Sequence, residues 1–251
     1  MKRVLIVIYQ LFIWLPLFLV LAILASLTTT VGCLCGGERI FAYYPGMIWS
    51  RLVCIITLCP VKVVGREKLN KKQSYIFIAN HQGAYDIFLV YGYLNQSIKW
   101  MMKKSLRKLP FVGKACESAG FIFVDNSSPK AALKSIDEAK TRLVDGNSVV
   151  IFPEGSRTKT GKMSVFKKGA YQMALDLKLP IVPISINGSF EVMPIFSYLI
   201  NPHKMELIIH DPIDITPYQS DDLRRQVVNI KELMLKSKAV VESGLWERYK
   251  G

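Results

Sequence analysis

After residue 60 the chain alternates between short apolar runs and segments with helical spacing, and this alternation limits the fold more than any other feature of the sequence. Several runs are apolar at every position, which is typical of strands covered on both faces of a sheet. We therefore predict an α/β fold with a mixed central sheet flanked by helices. The predicted strands span residues 61–65, 75–79, 98–102, 121–124, 149–152, 181–186 and 205–210, and the predicted helices span residues 87–91, 129–144, 167–177 and 220–241.

Residues 1–60 differ in composition from the rest of the chain. No charged residue occurs from Val4 to Leu27, and about twenty apolar residues suffice to cross a bilayer. A cleaved signal peptide is the alternative, but its apolar region would usually be shorter. A second apolar stretch, 40–60, completes a predicted N-terminal membrane-associated helical pair. We accordingly divide the chain into a membrane-anchoring helical segment, 1–60, and an α/β domain, 61–251.

The charge distribution bears on partners and on location. The formal net charge is +14, and only four of the 33 basic residues and one of the 19 acidic residues lie in segment 1–60. A basic surface attracts anionic lipid, phosphorylated substrates and nucleic acid alike, and the apolar N-terminus favours lipid. Lys2, Arg3 and the basic domain should all stay on the cytoplasmic face. Two spans, or a re-entrant or interfacial pair of helices, keep both basic regions on the cytoplasmic side, whereas a single straight span does not.

The cysteines give no sign of a metal site. The five cysteines include no Cys-x2-Cys pair with a matching second pair, so no zinc site is indicated. An odd number of cysteines without a framework suits a reducing compartment. We predict that the protein needs neither a metal nor a cofactor.

The first polar motif, residues 80–86, follows the apolar run 75–79 and precedes a helical pattern. His81 therefore lies at the carboxyl end of a strand, where open α/β sheets place their chemistry. Asp86 follows in a His-x4-Asp spacing, and a carboxylate can hold one ring nitrogen of a histidine as N–H. This pattern indicates an acid/base pair. A buried histidine beside a helix-capping aspartate is the alternative for such a short motif.

The second polar motif, residues 152–157, follows another apolar run. Its arginine, Arg157, offers a planar fork that suits two phosphate oxygens. Gly155 allows backbone to approach a ligand closely. Taken alone, the sequence Glu154-Gly155-Ser156-Arg157 is also compatible with an ordinary surface turn.

The two motifs together resemble a known family. Asn-His-Gln-x3-Asp followed by Phe-Pro-Glu-Gly-Ser-Arg is similar to the glycerolipid acyltransferases of the lysophosphatidic acid acyltransferase type. Two weaker blocks, 120–125 and 181–184, occur in the expected order, and four ordered blocks are more specific than any one of them. The resemblance covers roughly residues 61–215 and implies a fold like that of the glycerol-phosphate acyltransferases.

The resemblance also implies roles for particular residues. His81 would act as the general base and Asp86 would orient its ring, while no serine or cysteine in the blocks is indicated as a nucleophile. Substrate binding would fall to Glu154, Gly155, Ser156, Arg157 and a lysine near the oxyanion, either Lys103 or Lys104. The chain departs from the family pattern at three positions: Gly83 replaces a frequent serine, Ser156 replaces threonine, and Asn126 replaces an arginine that helps to bind the acceptor phosphate.

The predicted function is acyl transfer from acyl-CoA or acyl carrier protein to the sn-2 hydroxyl of lysophosphatidic acid at a membrane phospholipid surface. Asn126 keeps open another lyso-lipid acceptor, such as a lyso-ornithine lipid. A non-catalytic lipid-binding protein is the alternative from another class, and His81 with Asp86 argues against it. Nucleic acid is not a predicted partner, because only the basic charge favours it and no motif does.

Overall fold

The computed structural model describes residues 2–125, 141–143 and 145–250. A strand forms within or beside each of the seven predicted runs. Most of the helix predicted over residues 129–144 lies outside the described residues. The strands are β1 Val61–Val64, β2 Ile76–Ala79, β3 Met101–Lys103, β4 Ile122–Val124, β5 Val149–Ile151, β6 Ile181–Asn187 and β7 Met205–Ile209.

Five strands form a mixed sheet in the order β1-β7-β6-β2-β5, which confirms the predicted fold class. Strand β2 is central and pairs in parallel with both β5 and β6, while β7 runs antiparallel to β6. Strands β3 and β4 form a separate parallel pair. A parallel bridge between Ile98 and Ser148 joins the segment before β3 to the segment before β5. The carboxyl ends of β2, β3, β4, β5 and β6 therefore point toward the same edge of the fold, called here the catalytic edge.

Both faces of the sheet are covered. Phe77 of β2 belongs to one apolar core, whereas its neighbours Ile76 and Ile78 belong to a second core on the opposite face. This alternation follows from the two-residue period of a strand, and it explains why every position of β2 is apolar. The helices of the domain are α5 Asp86–Tyr93, α6 Val112–Ser118, α7 Gly169–Leu177, α8 Ser189–Val192 and α9 Leu223–Ser243.

The N-terminal part is helical. Helix α1, Lys2–Tyr9, continues through a π-helical turn, Gln10–Trp14, into α2, Leu15–Leu34. The π-helical turn ends two residues before Pro16, whose missing N–H interrupts the regular helical hydrogen bonds. The region Val4–Leu34 is long and apolar enough to cross a membrane, and little of it is buried. The short helix α3, Glu38–Phe41, and the longer α4, Tyr44–Ile56, follow it.

The α/β domain contacts this N-terminal helix at both of its ends. Near its start, the Gln10 side chain donates a hydrogen bond to the Ile200 carbonyl and accepts one from the Ile200 N–H at 3.2 Å. Just beyond its end, Glu38 lies 3.5 Å from the ammonium of Lys99. Burial lowers the pKa of Lys99, and Glu38 partly opposes this effect. The helix therefore runs along the domain rather than away from it.

Helix α4 is an integral part of the domain core. Its residues Val53 and Cys54 are buried in the same apolar core as Phe77 of the central strand. Removing segment 1–60 would therefore expose core residues as well as remove the apolar helix.

Candidate active site

The first motif forms a hydrogen-bonded pair at the catalytic edge. His81 follows β2, Asp86 begins α5, and the distance from His81 Nδ1 to Asp86 Oδ2 is 2.7 Å. The Asp86 carboxylate is buried and also accepts the backbone N–H groups of Gln82, at 2.7 Å, and Gly83, at 3.1 Å. Because an ionised carboxylate only accepts, the shared hydrogen lies on Nδ1 of His81. The ring is 17% exposed, and no described hydrogen bond engages its Nε2.

The second motif holds the backbone of the first. Glu154, which follows β5, is buried, and its Oε1 accepts the backbone N–H of His81 at 2.7 Å. Its Oε2 accepts both the N–H, at 2.8 Å, and the hydroxyl, at 2.7 Å, of Ser164. The N–H of Thr158 donates to the carbonyl of His81 at 2.9 Å. Both backbone groups of His81 are thus bonded to the loop after β5, so the two motifs form one unit.

The His81 ring is also restrained by packing. Phe152 stacks on it with 4.0 Å between ring centroids and an angle of 14° between the planes. The flat contact limits rotation of the imidazole, and the hydrogen bond to Asp86 fixes the direction of Nδ1. Together they hold Nε2 in one direction.

Arg157 remains available for a ligand. Its side chain is partly exposed, and no hydrogen bond or ion pair engages it among the residues that the structure describes. Gly155 has a φ of +80°, and a Cβ there would lie 2.5 Å from Nζ of Lys167. Glycine at this position therefore lets the Lys167 ammonium approach the backbone. Ser156, between Gly155 and Arg157, is exposed. The loop thus combines two cations with accessible backbone, an arrangement suited to an anion.

The comparisons with known proteins identify the family. A model of the acyltransferase family matches residues 60–187, half of the chain. The chain belongs to the acyltransferase family. This confirms the family resemblance carried by the four sequence blocks.

The relatives with curated names extend the match. The 1-acyl-sn-glycerol-3-phosphate acyltransferase of Cocos nucifera is 31% identical over 189 residues, which are 75% of this chain and 61% of that protein. The enzyme of that name from Saccharomyces cerevisiae is 30% identical over 85% of this chain and 70% of its own. The chain spans about half to two thirds of the length of the first curated relatives that it matches.

A solved structure shows the same fold. The 1-acyl-sn-glycerophosphate (LPA) acyltransferase of Thermotoga maritima superposes with a TM-score of 0.65 at 24% sequence identity. The match covers 90% of this chain and 97% of that one. The agreement thus extends beyond the residues that the family model matches.

His81 and Asp86, called here the dyad, have a third partner that the sequence interpretation missed. The hydroxyl of Ser189, at the start of α8, donates a hydrogen bond to Oδ1 of Asp86, and both side chains are buried. Ser189 follows Gly188 directly after β6, one of the strands that end at the catalytic edge. A polar residue after a strand at that edge is the signal that could have identified it.

The close approach of α8 also accounts for glycine at position 83. A Cβ on Gly83 would lie 2.3 Å from the carbonyl oxygen of Ser189 and 3.0 Å from that of Met193. A serine, which the family often has here, would require α8 to move away. The close packing of α8 that brings Ser189 to Asp86 therefore also requires glycine, and not the serine common in the family, at position 83.

We expect Ser189→Ala to lower kcat roughly ten- to a hundred-fold, because a hydrogen bond to a buried charged group is worth about 1.5–3 kcal/mol. KM should change much less, since Ser189 contacts Asp86 and not a substrate. Ser189→Thr keeps the hydroxyl and should recover part of kcat. Ser185→Ala is the matched control, because it removes another buried hydroxyl that bonds to Val241 and His210. Equal losses in Ser189→Ala and Ser185→Ala would contradict a specific role for Ser189.

The structure distinguishes the two adjacent lysines of the sequence interpretation. Lys104 is paired with Asp125 at 2.8 Å, whereas Lys103, at the end of β3, is exposed and has no ion pair among the described residues. Lys103 is therefore the freer of the two to meet a substrate at the catalytic edge. Asn126, the third departure from the family pattern, lies outside the described residues.

Proposed function

We propose that this chain transfers an acyl group from acyl-CoA or acyl carrier protein to the sn-2 hydroxyl of lysophosphatidic acid and so forms phosphatidic acid. The observation that carries the proposal is the pair of His81 and buried Asp86, 2.7 Å apart, at the end of the central strand. The names of the curated relatives support this choice of acceptor. Those names do not distinguish acyl-CoA from acyl carrier protein as the donor.

The proposed reaction is a direct transfer. His81 Nε2 removes the proton of the sn-2 hydroxyl while that oxygen attacks the carbonyl carbon of the thioester. Asp86 stabilises the imidazolium that forms, and Lys103 is the proposed donor to the oxyanion. When the tetrahedral intermediate collapses, the C–S bond breaks and the thiolate takes the proton from the imidazolium. Among the described residues, the His81 ring hydrogen-bonds only to Asp86, so no serine or cysteine is paired with it for an acyl-enzyme route.

The loop of the second motif would hold the acceptor. In this proposal Arg157 binds the phosphate of lysophosphatidic acid through its planar fork, and Gly155 with Ser156 offers backbone and hydroxyl groups beside it. Glu154 acts indirectly, because both of its oxygens are occupied by His81 and Ser164. It positions the base rather than binding a phosphate.

The apolar N-terminal helix supports association with a membrane. Since the domain contacts the helix at both ends, we propose that the helix lies in the interface, with the domain on the same side. The basic charge of the domain supports the cytoplasmic side, because positively charged segments next to membrane helices tend to stay there. A lyso-lipid acceptor would then reach the catalytic edge from the membrane.

No metal is part of the proposed reaction. Within the described residues, no group of three or more His, Cys, Asp or Glu side chains could hold a metal ion. We expect EDTA to leave the rate of acyl transfer unchanged. Loss of activity on chelation, followed by recovery on adding a divalent metal, would contradict this prediction.

A product assay tests the proposed acceptor. Purified full-length protein is given lysophosphatidic acid, lysophospholipids with larger head groups and lyso-ornithine lipid, each with acyl-CoA and with acylated carrier protein. We expect the highest kcat/KM with lysophosphatidic acid. Asn126 stands where the family commonly has arginine, so a preference for another lyso-lipid would replace the proposed acceptor. No turnover with any pair would favour a non-catalytic lipid-binding protein.

A further inference from the structure

Residues 103–112, called here the basic-apolar loop, form an exposed surface beside the catalytic edge. All ten residues are exposed, and no acidic residue occurs between 101 and 116. Leu109 is 47% exposed and Phe111 is 51% exposed. The loop contains four large apolar residues and four basic ones: Leu106, Leu109, Phe111 and Val112, with Lys103, Lys104, Arg107 and Lys108.

The loop has a folded backbone that holds its apolar side chains outward. The N–H of Gly113 donates to the carbonyl of Leu109 at 2.9 Å, and a Cβ on Gly113 would lie 2.1 Å from the carbonyl oxygen of Arg107. Phe111 has a φ of +59°, a conformation that is strained for a residue with a bulky side chain. The fixed backbone of the loop therefore holds the Phe111 ring in contact with solvent.

The position of the loop relates it to the membrane. It begins at the carboxyl end of β3 and leads into α6, and α6 packs against α2, part of the apolar N-terminal helix. The loop therefore lies between the membrane-associated helix and the catalytic edge. An exposed apolar surface continuous with a membrane helix would lie at the level of the lipid head groups if the helix lies in the interface.

We propose that the basic-apolar loop is a second membrane contact, made with an anionic phospholipid surface. Leu106, Leu109 and Phe111 enter the boundary between head groups and acyl chains, where aromatic side chains are favoured. Lys108, which has no ion pair among the described residues, meets lipid phosphates. The inference rests on the membrane association in the proposed function and adds that the loop orients the catalytic edge toward the bilayer.

The apolar residues favour a lipid surface over an acidic protein such as an acyl carrier. Charge alone would suit either partner. Half-exposed leucine and phenylalanine side chains next to an apolar helix gain free energy when they leave water together with that helix, and they add nothing to a purely electrostatic contact.

A fluorescence experiment on the full-length protein tests the contact. Phe111→Trp is compared with wild type, so that the difference spectrum removes the native tryptophans. On vesicles that contain anionic lipid we expect the added tryptophan to shift to shorter wavelength and to be quenched by brominated acyl chains. Val227→Trp is the matched control, because Val227 is exposed on α9, which packs on the opposite core. It should show neither change.

A charge reversal tests the role of the head groups. Lys108→Glu in the Phe111→Trp background should reduce both the quenching and its dependence on anionic lipid. Lys231→Glu, the same charge change at an exposed position of α9, should leave both unchanged.

Two results would overturn the proposal. One is an added tryptophan at position 111 whose emission is the same with and without vesicles. The other is protection of that tryptophan by acyl carrier protein and not by lipid. Neither measurement needs turnover. Acyl transfer without quenching would therefore refute the loop contact alone, and quenching without acyl transfer would refute the proposed function alone.

Discussion

His81→Ala should lower kcat for acyl transfer by at least about 10²–10⁴-fold, the usual contribution of a general base. The imidazole is the group of the dyad that a substrate hydroxyl can reach, because the Asp86 carboxylate is buried and both of its oxygens already accept hydrogen bonds. Asp86→Asn should lower kcat as well, since an amide cannot stabilise the imidazolium in the same way. The measurement is steady-state kinetics with lysophosphatidic acid and one thioester donor.

The control for this prediction is another histidine. His203→Ala removes a ring that packs on Trp246 and has no described hydrogen bond to His81 or Asp86, and it should retain nearly all activity. Circular dichroism and vesicle binding should be the same for His81→Ala and wild type. A His81→Ala variant with wild-type kcat would contradict the proposed mechanism.

Arg157→Ala should raise KM for lysophosphatidic acid roughly ten- to a hundred-fold, because a lost charge-assisted hydrogen bond to phosphate costs about 1.5–3 kcal/mol. Arg157→Lys should recover only part, since an ammonium cannot form the paired fork. KM for the thioester donor should change little. The measurement is the full dependence of rate on each substrate at saturating levels of the other.

Lys159→Ala is the matched control for Arg157. Lys159 is an exposed cation of the same loop, with its ammonium 6.0 Å from the centre of the Phe196 ring. Lys159→Ala therefore shows how much KM for lysophosphatidic acid changes when the loop loses a positive charge at another position. If Arg157→Ala weakens the donor and leaves the acceptor untouched, the proposed assignment of substrates to the two motifs is reversed.

The strands and the pair of His81 and Asp86 could be predicted because their signals are local. Continuous apolar runs marked β2 and β5, and the two cores on either side of the sheet explain why those runs have no polar face. The contact between His81 and Asp86 joins residues close in sequence, so spacing alone indicated it.

The rest of the site depends on contacts between distant segments. Ser189 reaches Asp86 across 103 residues, and the carboxylate of Glu154 reaches the N–H of His81 across 73 residues. No sequence spacing encodes such contacts; they follow from the order in which strands pair. The difference between Lys103 and Lys104 likewise depends on Asp125, which β4 brings next to Lys104.

The N-terminal segment shows the same limit. Its lack of charge predicted an apolar helix, and one forms. The hydrogen bonds between Gln10 and Ile200 span 190 residues, so composition could not show that the helix runs along the domain. The buried position of Val53 and Cys54 of α4 in the domain core was equally invisible in a predominantly apolar stretch whose only charged residue is Arg51.

Direct transfer to lysophosphatidic acid is the central claim, and release of free thiol measures it most directly. The full-length protein is mixed with acyl-CoA or with acylated carrier protein, with and without lysophosphatidic acid, and thiol and phosphatidic acid are quantified over the first turnover. The predicted result is thiol release only when the acceptor is present, with phosphatidic acid formed in equal amount. A burst of thiol without acceptor, with the acyl group bonded to the protein, would contradict the account.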